Sequence, residues 1–300
     1  MASVDIKNVS KNYGDIAALK NVSLSLDRNE CVGILGPNGA GKTTLMKLIT
    51  NIIKPSSGEI LVNGTNVSDD PSKALRTVGS IIEQPEFYTY LTAYETMMFV
   101  CRIKGGTTEY CKSEIERVGA ITEVKSFLTR KTGTYSRGMK QRLALAVALI
   151  NNPNVIVLDE PTFGLDPRGM ADIRNTLNGI RGDRNSIILL STHLISEVKE
   201  LCDRVIIMDE GSIVYDSGMN DVEKSLRIRF YEPAGEKLNG IGNGAVIEDE
   251  GKTAIFSVKK EMPNYTLIQD LVNRGIKIRD VEESSGIEEK YLSIVGAGKD

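Results

Sequence analysis

A run of nine residues, Gly36-Pro37-Asn38-Gly39-Ala40-Gly41-Lys42-Thr43-Thr44, concentrates groups that handle phosphate. It fits the pattern G-x-x-x-x-G-K-[ST] and stands between a short apolar run, residues 31–35, and a stretch whose apolar residues recur at helical spacing. Glycines at 36, 39 and 41 are expected to take positive φ and bring backbone N–H groups around a phosphate chain. A helix starting near Lys42 would aim the positive end of its dipole at the same oxygens. Lys42 would then reach the β- and γ-phosphates, and Thr43 would place its hydroxyl on Mg²⁺. Without the flanking strand and helix, the run would read as a glycine turn with a chance lysine.

A second apolar run, residues 155–158, ends in Asp159-Glu160. Two acids closing a buried strand are hard to explain by stability alone. The C-terminal edge of an α/β sheet is where such folds bind ligands. Asp159 suits the oxygen-rich shell that Mg²⁺ prefers. Glu160 can accept a proton from the attacking water, or orient that water. By itself the pair would be a solvated acidic turn; the lysine loop upstream makes the catalytic reading the stronger one.

The third signal is Tyr135-Ser136-Arg137-Gly138-Met139-Lys140-Gln141-Arg142, opening a helix. Taken alone it is a serine-capped helix start. With the other two motifs in order, the chain resembles the ABC transporter ATPase family. That family's signature is usually Leu-Ser-Gly-Gly-Gln; Ser136 and Gly138 match it, while Tyr135, Arg137 and Met139 depart from it. The resemblance spans about residues 2–220. It implies that Ser136 and Gly138 contact the γ-phosphate bound to a second subunit. It also implies that Tyr13 stacks on adenine, where an exposed strand tyrosine is the alternative. Gln84 would watch the metal and the γ-phosphate. Asp166, in Gly164-Leu165-Asp166, would cross the dimer seam. His193, the one histidine of the chain, would be the γ-phosphate sensor.

These residues need elements to hold them. Residues 4–9, 22–26 and 31–35 read as strands, and 42 to about 51 as a helix that Pro55 stops. From about 85 to 152 the texture is helical, with helices expected over 92–104, 109–118 and 138–150. Strands return at 155–158, 186–190 and 205–208. The last 80 residues read as a small α+β unit: strands at 226–231, 254–258 and 276–281, and helices at 264–273 and 287–294. Asn264 can cap the first of those helices and Gly275 can end it. The expected fold class is therefore α/β, a P-loop NTPase core of mixed sheet flanked by helices. It carries an N-terminal antiparallel β portion, a helical insert at about 85–152, and a small C-terminal α+β domain. The domains expected are residues 1–220, the ATPase, and 221–300, an accessory domain.

Bulk properties narrow the function classes. Hydrophobic residues are 41% and charged residues 26%, a globular composition. A formal net charge of −3, all of it in the last 80 residues, and no basic block argue against a nucleic-acid binder. The longest uncharged run, residues 143–158, is broken by Asn151, Asn152, Pro153 and Asn154 and falls short of a membrane span. The N-terminus lacks a signal-peptide pattern. Cys31, Cys101, Cys111 and Cys202 have neither zinc nor Cys-x-x-Cys spacing and are expected to be reduced, mostly buried thiols of a cytoplasmic protein.

The resemblance implies an ATP-hydrolysing motor subunit, peripheral on the inner face of the cell membrane. Its partners would be a separate transmembrane permease chain and a second nucleotide-binding subunit, in a homodimer. The signature, residues 84–88 and the small tail are similar to ATPases of drug- and antibiotic-exporting systems. Two other readings compete with this one. A soluble ABC ATPase acting on nucleic acid or ribosomes would usually carry two ATPase halves or long coiled-coil inserts. A P-loop kinase of a small metabolite would leave Ser136, Gly138, Asp166 and His193 without roles.

Overall fold

The computed structural model describes residues 3–27, 29–182, 186–222, 224–238, 240–241, 245–258 and 264–296. They fall into two compact units, Met1–Met219 and Asn220–Asp300.

In the first unit, β1 (Ser3–Tyr13), β2 (Ile16–Asp27), β4 (Ser57–Val62) and β5 (Thr65–Asn66) form an antiparallel sheet in the order β2-β1-β4-β5. A second sheet holds β3 (Cys31–Leu35), β6 (Val78–Ile81), β7 (Val155–Asp159), β8 (Ile187–Ser191), β9 (Arg204–Asp209) and β10 (Ser212–Gly218). Its order is β10-β9-β3-β8-β7-β6, parallel except for β10. Every residue of β3, β7 and β8 is buried. Parallel strands covered on both faces need such unbroken apolar runs, which is why these three were legible. β6 and β10 were not, because their runs are short or half-exposed.

The helix α1 (Lys42–Ile49) buries Leu45, Met46, Leu48 and Ile49 completely. They join a core built from β1, β2 and β4 on one side and β3, β7, β8 and β9 on the other. Each fully buried side chain of this size contributes about 1.5–3 kcal/mol. The helix ends earlier than expected. Thr50 is its C-cap, and Asn51 takes φ 53°, so a left-handed asparagine stops it well before Pro55.

The helical insert holds α3 (Ala93–Ile103), α4 (Thr108–Ile121) and α5 (Arg137–Ala148), after a one-turn α2 (Pro71–Ala74). Thr92 and Glu95 form a reciprocal capping box on α3. Cys101 and Cys111 are joined by a disulfide between α3 and α4, with Cα atoms 5.7 Å apart. This corrects the expectation of four thiols: the turn through Gly105 and Gly106 folds α4 back on α3, a juxtaposition the spacing did not disclose. Cys31 and Cys202 are free and buried. The helices α6 (Pro167–Gly182) and α7 (Ile195–Leu201) complete this unit. Among the described residues, no helix is long and apolar enough to cross a membrane.

The second unit is an antiparallel sheet, β12 (Ala245–Glu248), β13 (Thr253–Val258), β11 (Lys224–Phe230) and β14 (Ile278–Ser285), in that order, with α8 (Asn264–Asn273) and α9 (Gly286–Gly296). Leu226, Ile228 and Phe230 alternate inward and meet Ala254, Phe256, Leu267 and Leu271 in a separate core. β14 begins later than expected, since Ile276 belongs to that core but not to the strand. Asn264 is the first residue of α8 rather than its cap, and the residue before it lies outside those described. Gly275, at φ 72°, follows the end of α8.

Candidate functional site

Four parallel strands deliver the candidate residues to one sheet edge. β3 runs into Gly36, β8 into Ser191-Thr192-His193, β7 into Asp159-Glu160, and β6 toward Gln84. Register makes them neighbours: Ile34 lies beside Ser191, and Ser191 beside Asp159. The C-terminal edge of a parallel sheet is the expected ligand crevice.

The loop after β3 is tight. Gly41, at φ 101°, precedes α1; a Cβ there would lie 2.7 Å from Leu19 Cδ2 and 2.8 Å from the Ala18 carbonyl. Gly39 also has positive φ, but Gly36 does not, contrary to expectation. Gly36 is required for another reason, since a Cβ there would sit 2.4 Å from the Met208 carbonyl of β9. Ala40 is buried and its N–H donates to Pro37 O at 3.2 Å, leaving Asn38 and Gly39 exposed at the tip. Lys42 is 6% exposed. Its ammonium donates to Gly36 O at 2.7 Å and Pro37 O at 3.0 Å. Burial lowers its pKa from the ordinary lysine value, against the opposing pull of Glu160 and Asp159. Thr44, partly buried, follows on α1.

Thr43 Oγ1 donates to Asp159 Oδ2 at 2.9 Å, and Ser191 Oγ donates to Asp159 Oδ1 at 2.6 Å. The Glu160 N–H in turn donates to Ser191 Oγ at 3.0 Å. Glu160 has φ 46°. A left-handed glutamate costs about 1–3 kcal/mol and persists only where its surroundings hold it. Its carboxylate Oε2 lies 3.2 Å from His193 Nδ1. A carboxylate only accepts, so Nδ1 carries the proton in this pairing. Ser191 was not singled out from the sequence. Its signal was present, because residues 187–193 repeat the pattern of 155–160, a buried strand ending in polar groups.

Two clefts divide the remaining residues. One, of about 510 Å³, is lined by Thr43, Gln84, Asp159 and Glu160 together with Tyr135, Arg137 and Phe163. The other, of about 380 Å³, is lined by Ser136, Gly138 and Asp166, with Arg142 and Arg168. Lys42 is among the lining residues of neither. Ser136 caps α5 by accepting from the Met139 N–H at 3.3 Å, and Asp166 accepts from the Gly169 N–H at 2.8 Å. Arg137 turns the other way: its guanidinium lies 5.3 Å from the Phe163 ring centroid, and Phe163 meets the His193 ring edge-on at 6.1 Å. Tyr13 lies in neither cleft; it is 47% exposed at the end of β1, with Lys11 Nζ 5.1 Å from its ring centroid.

This geometry has counterparts among known proteins. A family model described as ABC transporter matches residues 19–163. An ABC transporter ATP-binding protein of Bacillus subtilis (strain 168), YhcH, is 32% identical, with 99% of this chain and 97% of that protein covered. The bacitracin transport ATP-binding protein BcrA of Enterococcus faecalis is 34% identical, over 98% of this chain and 97% of its own length. Among solved structures, the dimeric post-hydrolysis state of an ATP-binding cassette bound to ADP and Pi aligns with a TM-score of 0.66 at 28% identity, covering 72% of this chain and 98% of that one. With its loop, acidic strand end and signature all in order, this chain belongs to the ATP-binding proteins of ABC transporters and is an ATPase of that family.

Proposed function

We propose that the chain is the motor of an exporter, that it works as a homodimer, and that each ATP lies between the phosphate loop of one chain and the signature of the other. The observation that carries this reading is the division of the two clefts. The groups for metal and water, Thr43, Asp159 and Glu160, line one, and Ser136, Gly138 and Asp166 line another, while Lys42 lies buried beneath the phosphate loop and lines neither. In this reading a single chain presents two half-sites. The names of relatives that transport bacitracin support export.

In this reading, Gly36 to Thr44 hold the phosphates, Lys42 supplies charge at the β- and γ-phosphates, and Tyr13 stacks on the base. Thr43 and Asp159, with Gln84 nearby, form an all-oxygen donor set that would hold Mg²⁺. Held there, the ion would supply positive charge against that developing on the transferred phosphoryl group. Glu160 takes the proton of the attacking water, and His193 holds the Glu160 carboxylate in place. Residues 1–220 would form the ATPase domain and 221–300 an accessory domain. A separate transmembrane permease at the inner face of the membrane would receive the motion of the dimer. Glu160→Gln tests the core of the reading. The amide keeps the shape but cannot act as a base, so ATP should still bind while turnover falls about 10²–10⁴-fold. Normal turnover in that variant would remove Glu160 from the chemistry.

A further inference from the structure

Thr162 and Thr192 each donate a side-chain hydrogen bond to one residue, Glu197: Thr162 Oγ1 to Oε1, and Thr192 Oγ1 to Oε2 at 2.6 Å. All three are sealed from solvent. Glu197 is 1% exposed, and each threonine 2%. Thr162 follows Glu160 by two residues, and Thr192 immediately precedes His193. Glu197 lies in the first turn of α7, and the Leu194 N–H leading into that helix donates to Thr192 Oγ1 at 3.0 Å.

Burying a carboxyl group is costly, and an apolar residue of similar size would usually serve stability as well or better. A reason for it must therefore come from geometry. Two oxygens on one rigid carboxyl plane hold two hydroxyls at a fixed spacing. Those hydroxyls belong to the two loops whose other side chains, Glu160 and His193, meet at 3.2 Å. The left-handed backbone of Glu160 needs such outside support. The Glu160 N–H also donates to Ser191, which fixes the strand end, and the Phe163 N–H donates to Glu160 O at 3.1 Å, a turn within the loop that does not tie it to the His193 loop.

We infer that Glu197 is a positioning residue: a buried clamp that sets the distance between the Glu160 loop and the His193 loop. The inference rests on reading Glu160 and His193 as the working pair. Glu197 touches neither nucleotide nor water in this role; it acts through Thr162 and Thr192.

His193 is the sole histidine of the chain, so its imidazole resonances can be assigned without ambiguity. The test uses the full-length chain and compares Glu197→Leu, Thr162→Val, Thr192→Val and the serine replacements Thr162→Ser and Thr192→Ser, with Glu160→Gln as reference. Turnover, KM for ATP and the His193 resonances are measured for each. The clamp predicts that kcat falls about 10- to 100-fold in Glu197→Leu and in each valine variant, with KM within about twofold, as expected when reacting groups are misplaced. The His193 resonances should move toward those of Glu160→Gln, and the serine variants should recover most of the loss. Combining Glu197→Leu with Thr192→Val should add little to either alone, because both remove one link. Should Glu197→Leu fail to fold, the valine variants, nearly equal in volume to threonine, carry the test. Wild-type kcat and His193 resonances in the valine variants, beside a Glu160→Gln chain that no longer turns over, would overturn the clamp. So would a fall in kcat that serine does not recover while the resonances stay put. Normal turnover in Glu160→Gln would instead overturn the reading beneath it, and the resonances would still report whether Glu197 fixes His193.

Discussion

Thr43 Oγ1 donates to Asp159 Oδ2 at 2.9 Å although 116 residues separate them. The contact joins the first turn of α1 to the end of β7. It places a hydroxyl and a carboxylate where a hard cation would take both. Asp159→Asn should therefore leave nucleotide affinity nearly the same with and without Mg²⁺, whereas the wild-type chain should bind far more tightly with it. Titration with ATP in Mg²⁺ and in chelator checks this. A full Mg²⁺ effect in Asp159→Asn would remove Asp159 from the metal site.

Lys42 gives a pH signature. Burial lowers its pKa in the nucleotide-free chain, and a bound polyphosphate would raise it. Between those two values, binding takes up a proton, so ATP affinity should fall as pH rises through the free-state pKa. In the absence of nucleotide the sign is reversed. The depressed pKa costs stability while the lysine is charged, and that cost fades as pH rises. Affinity measured from neutral pH upward should decline before the ordinary lysine range is reached. A flat profile up to that range would contradict the desolvated lysine.

The sequence disclosed the phosphate loop because its strand, turn and helix are contiguous, and β7 and β8 because both faces are buried. It did not disclose Ser191, Thr162 or Glu197. Their roles depend on partners on neighbouring strands or a following helix, and a threonine or serine beside an apolar strand has many uses. The same limit applies to Cys101 and Cys111, whose pairing depends on how α4 folds back on α3. α6 was legible but went unread: Ile173, Leu177 and Ile180 recur at helical spacing and are buried along one face of an otherwise polar stretch. The signature was legible as a motif, but the direction of Arg137, stacked on Phe163 beside the Glu160 cleft, was not.

Each unit has a hydrophobic core of its own, and every candidate nucleotide residue lies in the first. Residues 1–219 alone should therefore fold and bind ATP with affinity close to that of the whole chain. Equilibrium binding, with circular dichroism as the check on folding, measures this. A folded fragment that no longer binds would mean that the C-terminal unit builds part of the site.

The division of Ser136 and Lys42 between two half-sites is the claim on which the rest depends. A dimer with Ser136→Arg on one chain only, each chain tagged, tests it most directly. After a single turnover, the chain that retains ADP in its phosphate loop is identified. Action in trans requires ADP in the loop of the Ser136→Arg chain itself, completed by the intact signature opposite, while the other loop stays silent. ADP retained only in the loop of the unmodified chain would contradict the account.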